Sequence, residues 1–273
     1  MSAPASNSVK AGRWALNGFA GLALLYLFAP ILWIVVFSFN RPASKYNIEW
    51  RRFTWKNWPE TIDSIRRGSA LTDALGQSLQ VALIATLVAT VFGSLIALSL
   101  SRYRFRGAAA LNLFLVLPLT TPEIVLGSSL LTLFIDWDWA RGFRTVVIAH
   151  IMFQISFVAL TVRARVRGFD WTLEQAAADL GAGPLRTFWK VTFPLILPGI
   201  AAAALLSFAL SIDDFIITFF NAGNLQTFPL YVNGSFTVQF PAMVNVLSTL
   251  LLLVCVGLTL VGVVWGARRT SGA

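Results

Sequence analysis

The chain has 273 residues, 57% of them hydrophobic and only 12% charged, with a net charge of +9 and a mean hydropathy of +0.73. A soluble domain carries about a quarter charged residues, so a chain this poor in charge needs a solvent other than water, and the bilayer supplies one. A single cysteine, Cys255, and a single histidine, His150, exclude an intrachain disulfide, a cysteine-based metal site and a histidine cluster.

Residues 1–15 read as a short cytoplasmic segment, its Ser- and Ala-rich first eight residues disordered, with Lys10 and Arg13 before the first apolar run. That run is too long for the apolar region of a signal peptide, and Ser38-Phe39-Asn40 is a poor cleavage site, so it stays as a span. Runs at 16–39, 78–100, 109–135, 145–162, 195–220 and 243–265 each come near the roughly 20 residues needed to cross about 30 Å of hydrocarbon. They are continuously apolar, without the alternation of lipid-facing strands, which predicts an all-α membrane protein with six transmembrane helices. The membrane domain covers 16–266, and 267–273 is a cytoplasmic tail.

The basic residues lie in the connections between these runs, where they record topology rather than an affinity for nucleic acid. With the N-terminus inside, the inner connections hold twelve Lys and Arg and the outer ones nine. Arg102, Arg104 and Arg106 crowd against one helix end, while the outer loop spreads its charges among Glu49, Glu60, Asp63 and Asp73. Both termini are therefore expected in the cytoplasm. Trp14, Trp137, Trp139 and Trp265 fall at span edges, and Trp50, Trp55 and Trp58 suggest a short helix in the outer loop, on the membrane or over a pore.

The connection 172–194 is more defined than a passive link. Thr172 suits an N-cap with Gln175 completing a capping box, Gly181 suits a left-handed helix end, and Pro184 suits the first turn of a second short helix. Pro194 blocks further helix before the next span. Ala176, Ala177 and Ala178 leave the first helix smooth enough for another protein to approach closely. Tethered to the bilayer at both ends, this hairpin suits docking onto a cytoplasmic partner better than reading DNA.

This segment resembles the "EAA" loop of binding-protein-dependent ABC importers. Gln175-Ala176-Ala177 stands where that family has Glu-Ala-Ala, Gly181 follows six positions after Gln175, and Val191-x-Phe193-Pro194 closes the motif. Gln175 replaces the family's glutamate, with Glu174 one residue earlier. The stretch from Gln77 to Gly107, Leu117-Pro118-x-x-x-Pro122-Glu123, and Ser211-Ile-Asp-Asp-Phe215 with Thr227-Phe-Pro-Leu-Tyr231 are similar to the second (C-type) permease of spermidine/putrescine importers. The resemblance implies a type I ABC importer permease fold in a bacterial inner membrane. Its implied partners are a second permease subunit, two ATPase subunits and an extracytoplasmic solute-binding protein, with a polyamine as substrate. Glu174, Gln175, Ala176, Ala177, Gly181 and Pro184 are then the residues expected to couple to the ATPase.

No Gly-x-x-x-x-Gly-Lys-[Ser/Thr] occurs, so ATP and Mg are expected on the partner ATPase and no cofactor on this chain. No nucleophile–base pair or metal constellation is legible either, and His150 and Cys255 read as packing residues. Of twelve acidic residues, only Glu123, Asp213 and Asp214 fall within spans, with no Lys or Arg there to pair with them. Intramembrane carboxylates are costly and usually face a cavity, so these three, with Phe215 and Tyr231 as aromatic walls, are candidates for a cation pathway. The other reading is that Asp213 and Asp214 cap a broken fifth helix, since adjacent positions of a continuous helix differ by about 100° and cannot both face one path. An ion-gradient-driven transporter of a small cation, using the same acids, is the alternative function. It leaves the capped loop unexplained.

Overall fold

The computed structural model describes residues 7–238 and 241–270. The expected disorder of the first residues, the packing of Cys255 and the character of the C-terminal tail concern positions wholly or partly outside this set. The described residues form helices α1 (Asn7–Phe37), α2 (Asn57–Arg67), α3 (Ala70–Arg102), α4 (Ala108–Thr120), α5 (Glu123–Asp136), α6 (Phe143–Val166), α7 (Thr172–Asp179), α8 (Pro184–Thr187), α9 (Phe193–Asp213), α10 (Ile216–Asn221), α11 (Phe228–Val238) and α12 (Ala242–Thr270). No strand occurs among them; Asn40 and Phe53 form an isolated bridge.

Four helical stretches are long and apolar enough to cross a bilayer: Leu16–Phe37, Ala70–Arg102, Phe143–Val166 and Pro184–Asp213. The expected third span is not one helix. Its halves, α4 and α5, meet at 108° and make a fifth crossing only if taken together. The cause lies in the sequence: Pro122 pushes the residue before it out of the helical region, and Thr121 sits extended at φ −78°, ψ 131°. The Thr121 N–H and hydroxyl both donate to the Leu117 carbonyl, at 3.0 and 2.7 Å, satisfying the helix end locally. The sixth run lies in α12, whose fully described apolar part, Ala242–Val254, is shorter than a span.

The chain divides into two compact units, one running from Ala70 to Asn233 and the other formed by the flanking segments up to Ser69 and from Gly234. In the flanking unit, Asn40 is fully buried and donates to the Asn47 side chain and the Glu49 carbonyl, both at 2.7 Å, while accepting the Arg51 N–H. Phe39 packs on Phe53, Trp55 and Trp58, and Trp50 meets Phe37 edge-on. The short outer helix does form as α2, but of the three tryptophans only Trp58 belongs to it. Trp50 and Trp55 instead fold the loop back onto the end of α1.

In the central unit α3, α6 and α9 form the core. Ala82, Ala85, Ala89, Gly93 and Ala97 make one buried face of α3, while Leu83, Leu87, Val91 and Leu95 on its other side are exposed. This is the inverse of a soluble helix. Where lipid tails are as apolar as leucine, association comes from close packing of small residues. A Cβ on Gly93 would lie 2.7 Å from the Cβ of Val158, so the two backbones approach as closely as glycine allows. Val158, Val162, Ile196 and Ala203 continue the seam into α9.

Candidate functional site

The connection 172–194 folds as two short helices around a glycine turn, though its start differs from expectation. Thr172 is the first helical residue, not the N-cap, and the capping box with Gln175 does not form. The Thr172 N–H and hydroxyl donate to Asp170 Oδ1 at 3.0 and 2.8 Å. Those bonds, the backbone one first, hold the Asp170 carboxyl below its usual range. A carboxylate is the stronger acceptor, so Asp170 takes the role assigned to the threonine. At the other end Gly181 adopts φ +82°. Its N–H reaches the Ala178 carbonyl at 2.8 Å and that of Ala182 reaches Ala177 at 3.0 Å, the paired bonds of a Schellman ending. Pro184 opens α8 at its first position.

Pro194 does not stop the helix. The stretch from Pro184 to Asp213 is continuous, and a π-turn at Phe188–Thr192 precedes the proline, with the Phe193 N–H bonded to the Phe188 carbonyl. The wider turn shifts the carbonyl register ahead of a residue that has no N–H to give.

Glu174, expected on the coupling face, is turned inward. Its carboxylate pairs with Arg102 at 2.8 Å, accepts the Thr192 hydroxyl, and its side chain is only 11% exposed. Arg102 also lies over the Trp171 ring at 5.9 Å. Glu174 thus ties α7 to the end of α3 and to the base of α9. The outward surface holds Gln175, Ala176, Gly181 and Pro184, with Ala177 half-buried beneath them. Leu180 and Leu185, 89% and 77% exposed, and the exposed Trp189 add apolar surface to this loop that the motif residues do not include. The signal was present as apolar residues on both sides of the Gly-Ala-Gly-Pro turn.

The second cluster lies at the far end of α9. The expected fifth span is broken: α9 ends at Asp213, Asp214 is extended at φ −64°, ψ 120°, and helix resumes at Ile216 as α10. The Asp214 carboxylate accepts the Thr218 N–H at 2.8 Å and the Thr218 hydroxyl at 2.7 Å, and lies 3.2 Å from His150 Nε2. The expectation that all three intramembrane acids lack a basic partner is therefore corrected for Asp214, because it counted only Lys and Arg. The cap of a broken helix, the second reading offered for these acids, describes Asp214. Asp213 is exposed and Glu123, at the first position of α5, is exposed too; neither side chain has a hydrogen bond or ion pair among the described residues. Phe215 is half-buried against Phe219, with ring centroids 5.6 Å apart, and Tyr231 is half-buried on α11. The Asn221 amide donates to the Gly127 carbonyl at 3.2 Å and joins α10 to α5, but no hydrogen bond links Glu123 to either aspartate. No group of side chains able to hold a metal ion occurs among the described residues.

Residues 89–267 match the family described as "Binding-protein-dependent transport system inner membrane component". The spermidine/putrescine transport system permease protein PotC of Escherichia coli (strain K12) is 35% identical over 262 residues, covering 96% of this chain and 97% of that one. The putrescine transport system permease protein PotI of the same strain is 36% identical over 239 residues, covering 85% and 83%. Among solved structures, a bacterial ABC transporter that imports the acidic polysaccharide alginate matches with a TM-score of 0.66 at 15% identity, over 96% of this chain and 98% of that one. The MetNI methionine ABC transporter matches at 0.57 and 17% identity, over 69% and 90%. At such identities these structures speak for the fold alone.

Proposed function

The chain belongs to the inner-membrane components of binding-protein-dependent transport systems, the permease subunits of ATP-driven importers, and we propose that it forms the pathway of an importer for polyamines. The observation that carries this reading is the capped loop, which presents Leu180, Leu185 and Trp189 to a partner beside the Gly181 turn. A separate ATPase docked there, holding ATP and Mg, drives alternating access; a second permease, two ATPase subunits and an external binding protein complete the assembly. An ion-gradient-driven carrier would have no use for such a surface. Gln175, Ala176, Ala177, Gly181 and Pro184 serve the docking face, while Glu174 braces it from behind through Arg102.

The substrate class rests on the polyamine-transporting relatives and on chemistry. A polyamine must exchange the hydration of several ammonium groups for protein partners, and carboxylates beside aromatic rings supply them. Glu123 and Asp213, each without an intramolecular partner among the described residues, are suited to this, with Phe215 and Tyr231 as walls. Asp214 serves instead to shape the break. In reconstituted complexes, Glu123→Gln and Asp213→Asn are expected to raise the KM for radiolabelled spermidine or putrescine several-fold, with assembly intact. Asp214→Asn should lower thermal stability as well. Parent-like uptake by both neutralised variants would remove the carboxylates from the pathway.

Both termini lie in the cytoplasm in this reading, because the arginine cluster Arg102, Arg104 and Arg106 marks an inner helix end. In a Cys255→Ala background, Asn224→Cys should react with an impermeant thiol reagent in intact cells and Arg104→Cys should not. The reverse pattern would invert the topology. Gly223 is unsuitable as a reporter, since a Cβ there would meet the Arg141 carbonyl oxygen at 2.7 Å.

A further inference from the structure

A helix that breaks inside a membrane domain frees backbone groups and must be held in its bent shape by neighbours. The fifth span breaks at Asp214, and α6 runs alongside it as a ladder of polar contacts. The Thr145 hydroxyl donates to the Asn221 carbonyl at 2.8 Å, and Gln154 accepts the Ser207 hydroxyl at 2.7 Å. Between these rungs stands His150, 3% exposed. Its Nδ1 lies 2.7 Å from Ser211 Oγ, before the break, and its Nε2 lies 2.9 Å from Thr218 Oγ1, after it. Asp214 itself is 3.2 Å from the same Nε2. The first rung touches only the segment after the break and the last only the segment before it; the imidazole touches both.

The hydrogen inventory fixes how the ring is used. Thr218 has one hydroxyl hydrogen, and it goes to the Asp214 carboxylate at 2.7 Å. The Thr218 oxygen therefore offers a lone pair to Nε2, and a second lone pair on Nε2 would also confront the carboxylate oxygen. Nε2 carries the hydrogen and donates it. In the neutral ring Nδ1 then accepts the Ser211 hydroxyl hydrogen, so every hydrogen in the cluster has one destination.

We propose that His150 is a positioning residue for transport: a clamp across the discontinuity of the fifth span that sets the angle between α9 and α10, and with it the presentation of Asp213 and Phe215. Two conservative variants divide its functions. His150→Asn retains a polar atom near Nδ1 for Ser211 but cannot reach Thr218, and His150→Gln reaches Thr218 and Asp214 but releases Ser211. The assembled transporter, in a Cys255→Ala background with Phe215→Cys, is labelled with a maleimide, and melting temperature and the KM for spermidine are measured in the same histidine variants with Phe215 retained. The expected result is faster labelling of position 215 by about fivefold or more in both variants, with KM raised by a similar factor. Ser211→Ala, which removes one bond without touching the imidazole, should move labelling in the same direction by less. Parent-like labelling in both histidine variants overturns the clamp, and so does a lowered melting temperature with labelling and KM unchanged. The KM arm rests on the polyamine reading, whereas the labelling arm needs no substrate, so a failure of that reading leaves the clamp's test intact.

Discussion

A Gly181→Val variant is expected to reach the membrane in parent-like amounts and lose most of its solute uptake. Gly181 sits at φ +82°, and nothing lies within 4 Å of where its Cβ would be, so the whole effect comes from backbone conformation and none from crowding. An ordinary L-residue in the left-handed region costs about 1–2 kcal/mol, and a β-branched one more. The eight-residue α7 is too short to hold itself together against that cost, because isolated helices under about 12–15 residues are marginal in water. Its end would then open, the bonds from Gly181 and Ala182 to Ala178 and Ala177 would be lost, and the exposed Leu180 next to the turn would be displaced. Uptake and ATPase stimulation in reconstituted complexes measure this directly. Gly181→Asn is the control, since asparagine tolerates the left-handed region and should retain much of the activity. Full uptake by the valine variant would disconnect this turn from coupling.

Gly93→Leu should have its large effect at an earlier stage, in folding. The Cβ position at Gly93 lies 2.7 Å from Val158 Cβ, 2.8 Å from Val158 Cγ1 and 3.0 Å from the Ala159 backbone nitrogen. These atoms belong to the near end of a side chain and to backbone, so neither can swing aside. Overpacking a well-filled site typically costs about 1–3 kcal/mol, and here a whole isobutyl group would separate α3 from α6, the pair on which α9 also packs. The expected outcome is little or no monodisperse protein from detergent extracts, with the residue a measurable drop in melting temperature for Gly93→Ala. Gly76 lies on the same helix with open space around it, and Gly76→Ala should melt at or slightly above the parent temperature. If Gly93→Leu purifies and melts like the parent, the close approach of α3 and α6 is wrong.

The helical class, the positions of most apolar runs and the turn of the 172–194 loop were legible in the sequence because each rests on neighbouring residues. A run of apolar side chains needs no partner to declare itself, and Gly181 followed by Pro184 states its dihedral preferences within four residues. Pro122 encodes the break in the third span just as locally, although hydropathy, which runs unbroken across it, does not show it. What only tertiary structure decided is where the polar groups go. Whether Asp170 or Thr172 caps α7 depended on which acceptor the folded loop brings to the free N–H. Glu174 turned inward because Arg102, distant in the sequence, ends α3 beside it. Asp214 proved to be partnered because α6 carries His150 to the break in the fifth span. A buried charge takes whatever counter-group the helix packing delivers, and that packing is governed by small-residue contacts such as Gly93 against Val158, far from the charges they bring together.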